Sequence, residues 1–478
     1  MTTGLALDTR AAVDWYRRNR VRSEQIFDLI DPEAYYTRPI ALRNPIVFYE
    51  GHLPAFSVLA FLRRGLGQPP VDARLEKLFE RGIDPDSADA AVPRSGASTV
   101  WPSRDEVRAF ARACDAAILA ALESRALDAL PPSQSRAAIE GLYTALEHEA
   151  MHQETLLYMW HRLPYEMKRL PPGDLPTADL PPKVGSHDSI DSAHEWLPPA
   201  GGRSVVPAGD AVLGADRGAV AFGWDNEFDQ HTVRVAAFDV DVLPVTNARF
   251  LEFMADQGYR RRELWSEEGW DWLQAERVSH PAFWLPADPS DIADRLSAID
   301  DRSSSIGYRP SDIERPSSAL GAWRWRGMFA SVPLPADGPV YVSQAEASAY
   351  ARWKGRRLMT EAEFHRAAEG AAPGHVDFAG YDPVPVGSHP DTASVYGIHD
   401  LIGNGWEWTS TVFSPFEGFS PMRSYPEYSA DFFDGRHFVM KGASPATARD
   451  LIRPSFRNWF RGNYPYVYAK FRTVSDVR

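Results

Sequence analysis

Over the first 160 residues, apolar positions recur with the three-to-four spacing of helices. From Asp8 to Ile30, Val13, Tyr16, Ile26, Leu29 and Ile30 share one side, and Asp31-Pro32 stops the run. Pro45 to Leu66 carries a second apolar segment, through Ile46, Val47, Phe48, Leu53, Phe56, Leu59 and Leu62. Ser103 to Leu127 predicts a third helix, with Ser103 as N-cap and Glu106 at the capping-box position. Ser133 to Arg162 predicts a fourth. Four helices with connections of mixed length predict a four-helix bundle. Val71 to Pro102 predicts a long connection with short helices, and irregular chain of that length beside a bundle often serves a site.

Leu163 to Gly202 holds eight prolines between Pro164 and Pro199, the composition of a semi-extended linker. From Arg203 onward the pattern shortens, with dense turns punctuated by Trp, Gly and Pro. Thr232 to Val242 alternates as one strand; Asn247–Gly258, Ser343–Lys354 and Thr360–Gly370 predict helices, the last opened by a Thr360/Glu363 capping box. The expected organisation is a helical domain over 1–162, a linker over 163–202 and an α+β domain over 203–478.

Composition narrows the function classes. The chain has 478 residues, 44% hydrophobic and 24% charged, which is ordinary for a folded protein. A net charge of −14 disfavours nucleic acid and anionic membrane as partners. No apolar run is long enough to span a bilayer, and Met1 to Arg10 lacks the pattern of a secretory signal, so a cytoplasmic location is expected. The single cysteine, Cys114, excludes a disulfide framework and any cysteine-cluster metal site.

The chemistry points to histidine. His148-Glu-Ala-Met-His152 sets two imidazoles at i and i+4, one above the other on a helix face, where they can take adjacent positions on one metal. A lone His in an apolar segment is more often a core residue. His52 lies in such a segment, but in the same predicted bundle it is the natural third ligand. Glu154 competes for that role. It lies two residues past His152 and so points roughly 200° away around the helix, which favours three histidines with Glu154 as a supporting group. Three imidazoles with open positions suit Fe(II), Zn(II) or Cu(II).

The second half carries Phe222-Gly-Trp-Asp-Asn-Glu227, Pro244-Val-Thr-Asn247, Lys354-Gly-Arg-Arg-Leu-Met-Thr-Glu-Ala-Glu363, Gly403-Asn-Gly-Trp-Glu-Trp-Thr409 and Phe456-Arg-Asn-Trp459, before Lys470-Phe-Arg472. In this order these motifs resemble the formylglycine-generating-enzyme fold, a modified C-type-lectin-like α+β fold. The whole chain resembles the ergothioneine-type non-heme iron sulfoxide synthases, in which a DinB-like four-helix bundle precedes that fold. The resemblance implies Fe(II) on His52, His148 and His152, and O2-dependent joining of sulfur or selenium to the imidazole C2 of hercynine (Nα-trimethylhistidine). It leaves room for a structural Ca(II), for which no ligand set stands out. Formylglycine formation itself is not expected, because that chemistry uses two cysteines in the C-terminal domain and this domain has none.

Residue by residue, the resemblance implies that Asn458 and Trp459 contact hercynine, whose quaternary ammonium suits an aromatic face. In Tyr425-Pro-Glu-Tyr428, both phenols are candidate catalytic groups, and Tyr425 is the favoured proton donor. Members that use γ-glutamylcysteine carry two arginines before the third bundle helix and an Asp after the Asn-Trp pair. Here the stretch reads Gly96-Ala-Ser-Thr-Val-Trp101-Pro102, and Phe460 follows Trp459. Met151 replaces a Gln that contacts the imidazole in some members. Trp101 and Phe460 offer flat apolar faces, so a neutral donor is expected, as in the selenoneine branch, which uses the selenosugar 1-seleno-β-D-glucose. A cysteine- or γ-glutamylcysteine-using synthase is the close alternative. Two other classes fit less well: a Zn(II)- or Ni(II)-dependent thiol transferase or hydrolase, which would work without oxygen, and a non-catalytic binding module, which would hold no stoichiometric metal.

Overall fold

The computed structural model describes residues 8–80, 100–124, 127, 130–171, 202–288 and 318–477. Among the described residues, five α-helices form the N-terminal part: α1 (Thr9–Asp28), α2 (Ile46–Ser57), α3 (Ala73–Leu78), α4 (Arg104–Glu123) and α5 (Pro132–Arg162). Local chemistry sets several of their starts. Asp8, Asp72 and Ser103 each accept a backbone N–H of the first turn through the side chain, satisfying a donor that the helix itself cannot pair.

The apolar run from Pro45 differs from one regular helix. After Ser57 it widens into a π-helical segment, Val58–Gly65, just beyond Pro54, which has no N–H to give to the helix ladder. This segment packs closely on α5. A Cβ on Gly141 would lie 2.2 Å from the carbonyl oxygen of Ala60, so only glycine allows the two backbones to approach this far. The described part of the Val71–Pro102 connection contains α3; residues 81–99 lie outside the described set.

The C-terminal part is built on short strands: β1 (Arg203–Val206), β2 (Gly209–Leu213), β3 (His231–Val235), β4 (Phe238–Asp241), β5 (Trp284–Pro286), β6 (Trp323–Arg326), β7 (Ser331–Pro333), β8 (Arg357–Leu358), β9 (Gly405–Val412), β10 (His437–Ala443), β11 (Asn458–Arg461), β12 (Ala469–Lys470) and β13 (Thr473–Asp476). One sheet has the order β1-β4-β13-β8 and another β11-β10-β9-β12, with smaller sheets β2-β3 and β5-β6-β7. The strand expected from Thr232 to Val242 is two strands. Ala236-Ala237 separates β3, paired with β2, from β4, paired with β1 and β13. The apolar phase shifts at the break, from Val233 and Val235 to Phe238, Val240 and Val242, so Ala236-Ala237 marks the change of sheet in the sequence itself. Helices Gln344–Trp353 and Glu361–Ala367 both start with complete capping boxes, from Ser343/Glu346 and Thr360/Glu363.

Helix α5 lies between the two parts and is buried on both sides, which its many polar residues make costly unless paired. Those that face the C-terminal part find partners there. Glu147 meets Arg453, Glu154 accepts from Trp406, Ser444 and Thr447, and His161 bonds Tyr468 and Asp382. Of the expected linker, the described start folds back onto the bundle. Lys168 bridges to Ile30 and donates to the carbonyl of Met328, 2.7 Å away. The proline-rich remainder, 172–201, lies outside the described residues. Among the described residues, no helix is long and apolar enough to cross a membrane.

Candidate metal centre and substrate cavity

His148 and His152 lie on α5 and His52 on α2. Their candidate ligand nitrogens all fall within 4.8 Å of one another, the one such His/Cys/Asp/Glu group among the described residues. The Nε2 atoms of His148 and His152 are 3.1 Å apart. Two nitrogens at right angles on one ion, each at ~2.1 Å, would be separated by ~3.0 Å, so the pair is spaced as adjacent ligands. His52 Nδ1 lies 2.7 Å from the carbonyl oxygen of Phe79. A carbonyl only accepts, so Nδ1 carries the proton and Nε2 keeps its lone pair for a metal. Phe79 reaches this place because residue 51 is glycine; a Cβ there would lie 2.4 Å from the Phe79 ring.

Burial keeps the three rings uncharged. It lowers His52 to about 4, although its bond to Phe79 pulls the other way. Burial, then the neighbouring imidazoles, pushes His148 well down; burial, His52 and the Arg43 guanidinium do the same to His152. Neutral imidazoles are the metal-binding form. The buried Nδ1 atoms of His148 and His152 have no hydrogen-bond partner among the described residues. Three converging neutral imidazoles with no acid among them fit a borderline divalent ion and leave room for exogenous ligands.

Glu154 is not in this cluster. Its carboxylate takes Trp406 Nε1 and Ser444 Oγ at 2.7 Å and Thr447 Oγ1 at 2.8 Å, tying α5 to the C-terminal sheet. Burial raises its pKa, against those three donors.

A cavity of about 190 Å³ opens beside His148 and His152. From α5 it takes His148, Met151, His152, Glu154, Thr155 and Tyr158. All but Glu154 fall at i, i+3, i+4, i+7 and i+10, one continuous helix face, so Thr155 and Tyr158 were legible from the same spacing that marked the histidines. Of the other expected site residues, Tyr425, Tyr428, Asn458, Trp459 and Phe460 also line it. The Tyr425 ring stands 5.0 Å from Phe56 and 6.0 Å from His148, centre to centre. Its loop is fixed by Ser424, which accepts from Arg64 through its carbonyl and bonds Thr144 and Glu140 on α5. The Tyr428 hydroxyl contacts Met151 Sδ at 3.3 Å, and its ring stacks on Trp224 at 3.8 Å. Trp459 stacks on Phe413 at 4.2 Å and meets Tyr428 edge-on at 4.9 Å.

Trp101 is placed elsewhere. It does not line the cavity but stacks on Phe79 at 6.2 Å and meets Phe48 edge-on at 6.4 Å. Phe48 in turn stacks on His52 at 4.9 Å, so Trp101 supports the wall behind that ligand. Of the stretch read against the family's two arginines, residues 96–99 lie outside the described set. Sequence reasoning missed Arg43, a buried cation in the cavity wall. It also missed Arg453, which pairs with Glu147 next to His148. Both are single residues in unremarkable surroundings, and only the packing of distant segments gives them a role.

Two family models match. A DinB-superfamily model covers residues 16–156, and a sulfatase-modifying factor enzyme 1-like domain covers 194–377 and 376–477. A hercynine oxygenase of Mycolicibacterium thermoresistibile is 30% identical, over 99% of this chain and 97% of its own. One from Mycolicibacterium smegmatis is 30% identical over 73% of this chain and 80% of its own. Ergothioneine biosynthesis protein 1 of Neurospora crassa is 27% identical over 94% of this chain, but this chain spans only about half, 56%, of that longer protein. The chain therefore belongs to the hercynine oxygenase family, with a DinB-superfamily bundle joined to a sulfatase-modifying factor enzyme 1-like domain.

Proposed function

We propose that this protein is an Fe(II)- and O2-dependent enzyme that joins a chalcogen to the imidazole C2 of hercynine. The observation that carries this reading is the cluster of three neutral histidines, two of which, His148 and His152, line one small cavity with the Trp459 aromatic wall. In the balanced reaction, C2 and the donor each lose a hydrogen and O2 is fully reduced. One oxygen ends on the new C–Se or C–S chalcogen, giving a selenoxide or sulfoxide, and the other leaves as water. His52, His148 and His152 would hold the Fe(II), which when bound supplies the redox chemistry with O2.

The chain's own residues orient and protonate. Trp459, Tyr428 and Phe432 line the same wall and offer aromatic faces to the trimethylammonium group. Asn458 Oδ1 accepts the Trp459 backbone N–H at 2.9 Å, which turns its amide donors to other partners, such as the hercynine carboxylate. Tyr425 is the proton donor in this reading, held by the Ser424 clamp. Truncating Trp459 to alanine is expected to raise the hercynine Kd about 2- to 30-fold, the range of a cation–π contact worth ~0.5–2 kcal/mol. Titration calorimetry reads this, and an unchanged Kd removes Trp459 from the cation's site. Tyr425→Phe is expected to slow or redirect product formation at unchanged iron content; a wild-type rate and product would remove that role.

For the donor, we propose the selenosugar, supported by the flat face of Phe460, which stacks on Tyr464 at 5.1 Å. Arg43, in the same wall, favours the second reading, a carboxylate-bearing donor such as cysteine or γ-glutamylcysteine. Aerobic incubation of Fe(II)-loaded protein with hercynine and each of the three donors in turn decides by product mass. The expected mass is the sum of both substrates less two hydrogens plus one oxygen. No hercynine-derived product from any donor would sink the reading.

A further inference from the structure

We infer that Arg43 is the residue that reads the chalcogen donor, in a second subsite on the opposite side of β11 from the hercynine cage. This deepens the function proposed above and rests on it.

Consecutive residues of β11 point to opposite faces, so Trp459 and Phe460 divide the cavity wall. Trp459 packs with Phe413, Phe432 and Tyr428. Phe460 packs with Tyr464 and Tyr158. The second set surrounds Arg43. Its guanidinium carbon lies 5.4, 5.5 and 5.9 Å from the ring centres of Tyr158, Tyr464 and Phe460. Arg43 Nε donates to the Tyr464 hydroxyl at 3.0 Å, and another of its nitrogens donates to the Tyr158 hydroxyl. Arg43 is only 7% exposed, yet it lines the cavity that holds His148 and His152.

Charge then assigns the two sides. A guanidinium is always protonated and repels a quaternary ammonium, so the ammonium end of hercynine belongs on the Trp459 side. The hercynine carboxylate is on the carbon that bears the ammonium, so a cation held on the Trp459 side keeps the carboxylate near that side as well. The Arg43 side is left to the other substrate. A guanidinium fork held by tyrosine hydroxyls among aromatic rings recognises oxygen acceptors on a flat or compact body. The ligand is therefore a chalcogen donor with hydrogen-bond-accepting oxygens away from its sulfur or selenium. Sugar hydroxyls and amino-acid carboxylates share that chemistry, and the arms of the test separate them.

The test compares wild type, Arg43→Met and Arg43→Lys with hercynine and, in turn, 1-seleno-β-D-glucose, cysteine and γ-glutamylcysteine. Steady-state rates give KM for each substrate separately. Anaerobic fluorescence titration gives the binding of each donor to hercynine-saturated protein. With the donor that wild type uses, R43M is expected to raise the donor KM and Kd at least tenfold. Its hercynine Kd and iron content should stay within twofold of wild type. R43K keeps the charge but loses the fork, and an increase of at least threefold is expected. The donor most affected identifies the source, sugar or carboxylate. A hercynine Kd raised as much as that of the donor would overturn the inference, as would a donor KM unchanged in R43K; the latter decides alone if R43M does not fold. No product from wild type with any donor would instead count against the reaction. Donor binding unaltered in both variants would count against Arg43 whether or not the reaction holds.

Discussion

His148→Ala is expected to abolish stoichiometric metal binding and with it product formation. His148 Nε2 sits 3.1 Å from His152 Nε2, and removing it leaves two ligands on different helices, with no third His, Cys or acid of the cluster to replace it among the described residues. Losing an outer-sphere partner typically costs ~10–100-fold in metal affinity, and a direct ligand costs more. The fold should survive. A neutral ring stacked on Phe56 at 3.5 Å is lost, and no buried charge is uncovered. Anaerobic denaturation with and without Fe(II) reads the difference. At a metal concentration of 100 Kd the wild type should gain ~2.7 kcal/mol. The variant should gain almost nothing at the same concentration. Equal stabilisation of the two proteins would remove His148 from the centre.

Arg453→Met is expected to be the most destabilising single change in the interface between the two parts. Arg453 Nη1 and Nη2 reach Glu147 at 2.8 and 2.9 Å, Nε reaches Glu227 at 2.8 Å, and the Trp224 indole donates to Glu147 at 2.8 Å. Glu147 and Glu227 are buried, at 3% and 0% exposure. Burial pushes Glu147 up to about 7 even with the guanidinium beside it, whereas for Glu227 burial is outweighed by Arg453, and its carboxyl lies below the usual range. Methionine keeps the bulk and removes the charge, stranding two carboxylates. Breaking a buried pair from one side costs ~3–5 kcal/mol. The pH dependence has a definite sign. Unpaired buried carboxylates take up protons in the folded state that the unfolded chain has released, so stability falls as pH rises through their raised pKa values. The deficit of R453M relative to wild type should therefore be larger at pH 8 than at pH 6 in urea denaturation. A deficit below 1 kcal/mol, equal at both pH values, would show that the network contributes little.

Both effects meet at one turn of α5, where Glu147 faces the C-terminal part and His148 faces the cavity. The cap of one part on the other thus helps fix where the metal ligand stands. The same helix carries Glu154, tied to Trp406, Ser444 and Thr447, about two turns further on.

Much of this was legible in the sequence because it depends on neighbours along the chain. The starts of α4 and of the helices at Gln344 and Glu361 follow from capping residues three apart. The histidine pair follows from helical spacing, and the same spacing extends to Thr155 and Tyr158. The two-part architecture follows from the change in periodicity near Arg203 and from ordered motifs.

What the tertiary structure alone decided concerns groups that meet from distant segments. The alternation from Thr232 to Val242 predicted one strand; its apolar phase shifts at Ala236-Ala237, and the choice of partners put the two halves in different sheets. Trp101 and Phe460 look alike in sequence as flat apolar faces. Packing sends Trp101 behind His52 and leaves Phe460 in the cavity wall. Arg43 and Arg453 carry no local signature, since an arginine's role is set by which carboxylates and rings reach it, and those arrive from 115 to 421 residues away. Sequence by itself determined the helices, the caps and the histidine face, because backbone propensity and side-chain period are local. The tertiary structure decided how the cavity is charged, because electrostatic partnership depends on distance in space.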